Sequence, residues 1–167
     1  PGPVGDLEHE RVTSTDGATS TALMVLVLRD MGADVEYLVP DRFKYGYGLT
    51  PKIADLAFSR YQPDLLITVD NGISSHAGVE QAQAHGMQVI ITDHHLTTKA
   101  TPDAEAVVNP NQLGCEFPSK ALAGVGVAFY LLANLSSHRS KLSKSSSKIS
   151  DYLDLVALGT YADVASL

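Results

Sequence analysis

The chain has 167 residues, about the size of one domain. Its 44% hydrophobic content and mean hydropathy of +0.02 support a buried core and exclude wholesale disorder. A single cysteine, Cys115, excludes an internal disulfide and a cysteine-rich zinc site, and fits a reducing, cytoplasmic setting. The net charge of −7 and pI near 5.2 argue against a nonspecific nucleic-acid binder, but not against a nucleic-acid enzyme whose carboxylates hold divalent metals. No apolar run approaches the roughly 18–20 residues that cross a bilayer, and PGPVGDLEHERV lacks the basic-then-apolar order of a signal peptide, so no membrane association is expected.

In chain order, Gly17 to Gly32 predicts a helix, with Leu23, Leu26, Val27 and Met31 at helical spacing and Gly32 as the stop. Asp34 to Val39 is a short strand candidate closed by Pro40. Pro51 fits the first turn of a helix to about Tyr61, with Thr50 as its N-cap. Leu65, Leu66, Ile67 and Val69 form a β-branched-rich run that predicts a strand covered on both faces. A helix from about His76 to His85 ends at Gly86. Val89 to Ile91 predicts a second buried strand, and Ala106 to Val108 a weaker third. Strands alternating with helices predict βαβ crossovers, hence an α/β fold with a mainly parallel sheet flanked by helices. Leu122 to Leu132 carries glycines spaced unlike a dinucleotide fingerprint, which favours helix packing.

The ends fit less well. The helix at Gly17 should be fed by a strand, yet residues 1–12 hold almost none of the residues that form one. Ser136 to Ser150 contains eight Ser and four Lys or Arg in fifteen residues, and predicts a mobile, solvated linker dispensable for the fold. Tyr152 to Leu158 resumes an apolar helical pattern. The organisation expected is a divergent segment 1–15, a domain 16–135, the linker 136–150 and a final part 151–167, incomplete at both ends.

In an open parallel sheet, functional residues gather at the carboxyl ends of strands. Asp70 ends LLITVD and Asp93 ends VIITD, with His94 and His95 directly after it, while Asp16 opens the first helix. Oxygen and imidazole donors in this mixture suit Mn²⁺ or a related divalent ion. The plainer alternative for Asp70 is an Asx-turn in Asp-Asn-Gly. Thr19 and Ser20 in the first turn after Asp16-Gly17 either present hydroxyls to an anion or serve ordinary helix capping. Arg42, Lys44 and Lys120 sit in loops that either face a phosphate or are simply solvated. The Tyr45–Tyr47–Gly48 loop offers a stacking surface for a base, or is a turn. His9, His76, His85 and His138 show no partner pattern and are expected at the surface.

DGATSTAL (Asp16 to Leu23), VDNGISSHAGVE (Val69 to Glu80), TDHH (Thr92 to His95), FPSKALAGVGVAFYL (Phe117 to Leu131) and LDLVALGTYADV (Leu153 to Val164) resemble the DHH phosphoesterases. Together with RFKYGYGL (Arg42 to Leu49), they most resemble the RecJ-type single-strand-specific 5′→3′ exonucleases of DNA repair and recombination. The resemblance implies phosphodiester hydrolysis of single-stranded DNA with two Mn²⁺ or Mg²⁺ ions. It implies Asp16, Asp70, His94 and Asp163 as metal ligands, with Asp70 bridging. His95 would contact the phosphate, Asp93 would orient the site, and Thr19, Ser20, Arg42 and Tyr47 would lie along the substrate. The family's first motif carries three alternating aspartates before the glycine, and only Asp16 stands here; Val12 and Ser14 hold the other two positions. Glu8, His9 or Glu10 would have to substitute. Three readings follow: a RecJ-like exonuclease domain of reduced activity, a non-catalytic single-strand-binding or scaffold relative, and a small-substrate phosphoesterase of the same superfamily.

Overall fold

The computed structural model describes residues 14–140 and 148–165. The elements are α1 (Thr15–Asp30), α2 (Arg42–Tyr45), α3 (Pro51–Tyr61), β1 (Leu65–Val69), α4 (His76–Ala84), β2 (Gln88–Thr92), β3 (Ala106–Val108), α5 (Gly124–Ser140), a 3-10 turn (Ile149–Tyr152) and α6 (Leu153–Ala162). The three strands form one parallel sheet in the order β1-β2-β3, with Leu65 opposite Gln88 and Ile90 opposite Ala106.

The local signals act as their chemistry dictates. Ser14 caps α1 by accepting the Gly17 N–H, and Thr50 caps α3 by accepting the Ile53 N–H, with Pro51 following. Alternation along the strands divides the core in two. Val89 and Ile91 of β2 bury against Ile53, Ala54, Val79 and Ala82 of α3 and α4. Ile67 and Val69 of β1 pack on the other face, with Leu23, Met24 and Val27 of α1 and Val125, Ala128 and Leu132 of α5. The sheet is therefore covered on both sides, which is why its strands lack polar alternation. On the α4 side the approach is close enough that a Cβ at Gly78 would stand 1.9 Å from the Leu49 carbonyl oxygen.

Three expectations change. Asp34 to Val39 is extended but joins no ladder; Arg29 takes the Val35 carbonyl and the Tyr61 hydroxyl takes that of Tyr37, so side chains satisfy a backbone that has no strand beside it. The β2–β3 connection, residues 93–105, contains no helix. The expected linker 136–150 is helical at its start, because α5 continues to Ser140, and it runs into the 3-10 turn at Ile149. Its centre, 141–147, lies outside the described residues, as do residues 1–13, where a strand feeding α1 was sought. Helix α6 packs on α1 and α5, so the final part belongs to their layer. Among the described residues no helix is long and apolar enough to cross a membrane.

Candidate metal centre

The backbone leaves β1 through Asp70 at φ +58°, a left-handed conformation that Asp tolerates better than most side chains. The turn is held by its neighbours: the Thr68 hydroxyl donates to the Asn71 carbonyl, and the Asn71 amide donates to the Val69 carbonyl, each at 2.7 Å. Asp70 is thereby freed of turn duty. Its Oδ2 accepts from the Ser14 hydroxyl at 2.8 Å, and its Oδ1 lies 3.1 Å from His94 Nε2.

At the end of β2, Asp93 is 1% exposed and fully used. Its Oδ1 accepts the N–H groups of His94 (2.7 Å) and His95 (3.1 Å) and meets His95 Nδ1 at 2.6 Å; its Oδ2 accepts the Ile73 N–H at 2.9 Å. Burial alone would raise this carboxyl, but the His95 ring and the amide donors outweigh it and hold Asp93 below the usual carboxylate range. Asp93 in turn pushes His95 up. His95 is half-exposed, and its Nε2 faces the Tyr47 hydroxyl at 3.4 Å.

His94 stands at the centre of the acidic groups. Its Nε2 lies 3.8 Å from Asp16 Oδ2, and its Nδ1 lies 3.8 Å from Asp163 Oδ2. The hydrogen bond to Asp70, opposed by burial and reinforced by the charges of Asp163, Asp70 and Asp16, raises His94 to about 9. One donor atom from each of Asp70, His94 and His95 falls within a mutual 4.8 Å, and so does one from each of Asp16, His94 and Asp163. Asp163, the C-cap of α6, joins a cluster whose other members lie far away in sequence.

Of the expected site residues, Asp16, Asp70, His94 and Asp163 converge, and Asp93 with His95 forms a coupled pair beside them. Asp16 is 2% exposed, with both carboxylate oxygens accepting backbone N–H groups, Gly124 at 2.6 Å and Val125 at 2.8 Å. Burial, with the Asp70 charge, raises its pKa against those two donors.

Thr19 and Ser20 do not face the cleft. They are 6% and 0% exposed, and their hydroxyls donate within α1, to the Thr15 and Asp16 carbonyls and to the Asp16 carboxylate. Neither alternative describes them: the N-cap of α1 is Ser14, and a β-hydroxyl inside a helix bonds back to the preceding turn more readily than to an external anion. Tyr47 is exposed at the rim, and Arg42 opens the exposed α2. Lys120 is withdrawn from any phosphate role by donating to the Pro110 and Cys115 carbonyls. His76 is exposed, but His85 has partners: it pairs with Asp55 at 2.7 Å and stacks on Phe58 at 4.4 Å. His9 lies outside the described residues.

Four supporting residues were not singled out in the sequence. Asn109, 2% exposed, donates to the His95 carbonyl, and Asn111 donates to that of His94. Their signal was Asn-Pro-Asn directly after β3, a third strand end. Gly124 and Gly159 lie so close to the carboxylates that a Cβ would meet Asp70 at 2.8 Å in the first case and Asp16 at 3.1 Å in the second. A glycine at that spot in a helix marks close approach, but the sequence alone does not say to what.

A family model described as DHH family, N-terminal domain, matches residues 10–160. The chain belongs to the DHH family. Within it the likeness is to RecJ. The single-stranded-DNA-specific exonuclease RecJ of Salmonella typhimurium is 53% identical over 171 residues, covering 98% of this chain and 28% of that protein. RecJ of Bacillus subtilis is 42% identical over 156 residues, 91% of this chain and 18% of that protein. The crystal structure of a manganese-bound RecJ superposes with a TM-score of 0.76 at 38% identity, covering 91% of this chain and 37% of that one. The crystal structure of RecJ from Thermus thermophilus in complex with Mn²⁺ gives 0.72 at 36% identity, covering 92% and 21%. This RecJ-like DHH chain thus spans under a third of the curated relatives it matches.

Proposed function

We propose that this chain forms the ion-holding part of a RecJ-like exonuclease that hydrolyses single-stranded DNA with Mn²⁺ or Mg²⁺ in the cytoplasm. The placing of His94 between Asp70, 3.1 Å from its Nε2, and Asp163, 3.8 Å from its Nδ1, at the carboxyl ends of the sheet and helix α6 carries the reading. The donor set fits a divalent ion: carboxylates and one imidazole within a few ångströms, of the mixture that suits Mn²⁺. It fits one such ion better than two, because Ser14 brings a neutral hydroxyl to Asp70 where a second ion would want an anionic donor. When bound, the ion polarises the scissile phosphate and acidifies an attacking water.

The chain's own residues supply the rest. Asp93, anchored by three backbone N–H groups, fixes the His95 ring so that Nε2 points outward, placed to donate to a phosphate oxygen. Tyr47 stands edge-on to His95 at 6.3 Å between ring centroids, an exposed aromatic wall for the nucleotide beside that phosphate. Ser14 also favours a second reading, a chain that holds single strands without cutting them.

Manganese titration with release of labelled 5′ nucleotides from single-stranded DNA tests both. About one Mn²⁺ per chain, lost in Asp70→Ala, with slow release, supports the exonuclease reading. Strand binding with no release at any metal concentration supports the second. Absence of bound ion removes the first.

A further inference from the structure

We infer that Asp16 is a positioning carboxylate and not an ion ligand: it holds the Gly124 backbone against which Asp70 is set and abuts the Gly159 backbone that leads to Asp163. The inference deepens the proposed function and rests on Asp70, His94 and Asp163 taking the ion.

Asp16 is nearly sealed, at 2% exposure, and each of its oxygens is engaged from outside its own helix. The first two N–H groups of α5, those of Gly124 and Val125, donate to Oδ2 and Oδ1 at 2.6 and 2.8 Å. Bonds from a helix N-terminus to a carboxylate are charge-assisted and short, so they fix both partners. A divalent ion with oxygen ligands keeps several waters and needs open space around the donor. Here the α5 and α6 backbones approach so closely that a side chain would crowd the carboxylate: a Cβ at Gly124 would stand 3.0 Å from Asp16 Oδ2, and one at Gly159 would stand 3.1 Å from Oδ1.

The same two glycines connect Asp16 to the ligands. A Cβ at Gly124 would lie 2.8 Å from both the Cβ and the Oδ1 of Asp70, so the backbone that Asp16 grips forms the wall behind the Asp70 carboxylate. Gly159 rests against Asp16 and Thr19, and its carbonyl accepts the Asp163 N–H at 3.0 Å, closing the turn that carries Asp163. Asp16 therefore acts on Asp70 through its two bonds to α5, and on Asp163 through the close packing of α6 at Gly159.

Amide NMR of the whole chain during Mg²⁺ titration, with Mn²⁺ affinity measured by electron paramagnetic resonance, tests this. The Gly124 and Val125 amide protons should resonate at low field and stay there at Mg²⁺ saturation, while the Asp70, His94 and Asp163 signals move. Asp16→Asn should weaken Mn²⁺ by about 10–100-fold, the range for a group behind a ligand, whereas Asp70→Asn should remove it. Gly124 and Val125 signals that shift with Mg²⁺ as far as those of Asp70 would overturn the proposal, as would equal losses in the two variants. If Asp16→Asn does not fold, the Mg²⁺ titration of the parent chain decides alone. If the parent chain takes up no ion, the proposed function fails, and positioning is judged on the ion-free spectra. Asp16→Asn must then displace the Asp70 and Asp163 signals, and unchanged signals reject it.

Discussion

The Ser14 hydroxyl donates to Asp70 Oδ2 at 2.8 Å while its oxygen accepts the Gly17 N–H at 2.9 Å, so one side chain both caps α1 and occupies the flank of the candidate ligand. Asp is as good an N-cap as Ser, so Ser14→Asp should leave the helix start intact. It would set a second carboxylate beside Asp70, and in the absence of ions the like charges repel. The variant should melt below the parent in a chelator and above it in excess Mn²⁺, because binding to the folded state alone stabilises it by mass action. Differential scanning fluorimetry across a Mn²⁺ series checks this crossover. A variant that melts alike with and without Mn²⁺ would place position 14 outside the ion's reach.

Asp93 accepts four hydrogen bonds, all from N–H groups. Asp93→Asn replaces an acceptor by a donor, so at least one N–H loses its partner in a buried setting. The cost should be about 1–3 kcal/mol in denaturant unfolding, and the His95 ring should lose its fixed orientation. Any strand hydrolysis should fall with it. A variant as stable as the parent would mean that the carboxylate is not held as described.

Much of this was legible because it is local. The β-branched runs at Leu65–Val69 and Val89–Ile91 lie between helices on both faces, and their ends point to the site. Asp163 is different. As an exposed residue after a helix it carries no signal of its own, and only its resemblance to a family motif singled it out. The segment Asp34–Val39 has strand-like composition, but a strand exists only through its neighbour, and composition does not report neighbours. Thr19 and Ser20 looked available because a sequence does not show that α5 and α6 close over α1.

Gly126 and Gly159 lie on facing helices, yet alanine should treat them differently. A Cβ at Gly126 meets only the flexible end of Leu122 at 3.0 Å, and alanine gains helix propensity of about 1 kcal/mol over glycine. Gly126→Ala should therefore be neutral or mildly stabilising. A Cβ at Gly159 would lie 2.3 Å from Thr19 Oγ1 and 2.7 Å from Val125 Cγ1, inside the packing of α6 on α1 and α5. Gly159→Ala should cost about 1–3 kcal/mol or more by overpacking, and should weaken Mn²⁺ binding by shifting Asp163. Equal melting temperatures for the two variants would contradict the close crossing.

Far from the site, His85, Gln81 and Asp55 tie α4 to α3. Asp55 Oδ1 lies 2.7 Å from His85 Nε2 and accepts from Gln81 Nε2 at 2.7 Å. The His85 contact first, and the Gln81 amide second, hold the Asp55 carboxyl below its ordinary value. The folded pKa is thus lower than the unfolded one, so the folded state binds the proton less readily. The contribution is present above the ordinary carboxylate pKa of about 3.9 and is lost as pH falls through the lower folded value. Urea midpoints measured between pH 7 and pH 3 should fall more steeply at the acid end for the parent than for Asp55→Asn, which has no carboxylate to protonate. Because Asp55 is exposed, the difference should be small and should shrink with added salt. Parallel acid profiles at low salt would show that the pair adds nothing beyond the apolar packing of Phe58 on His85.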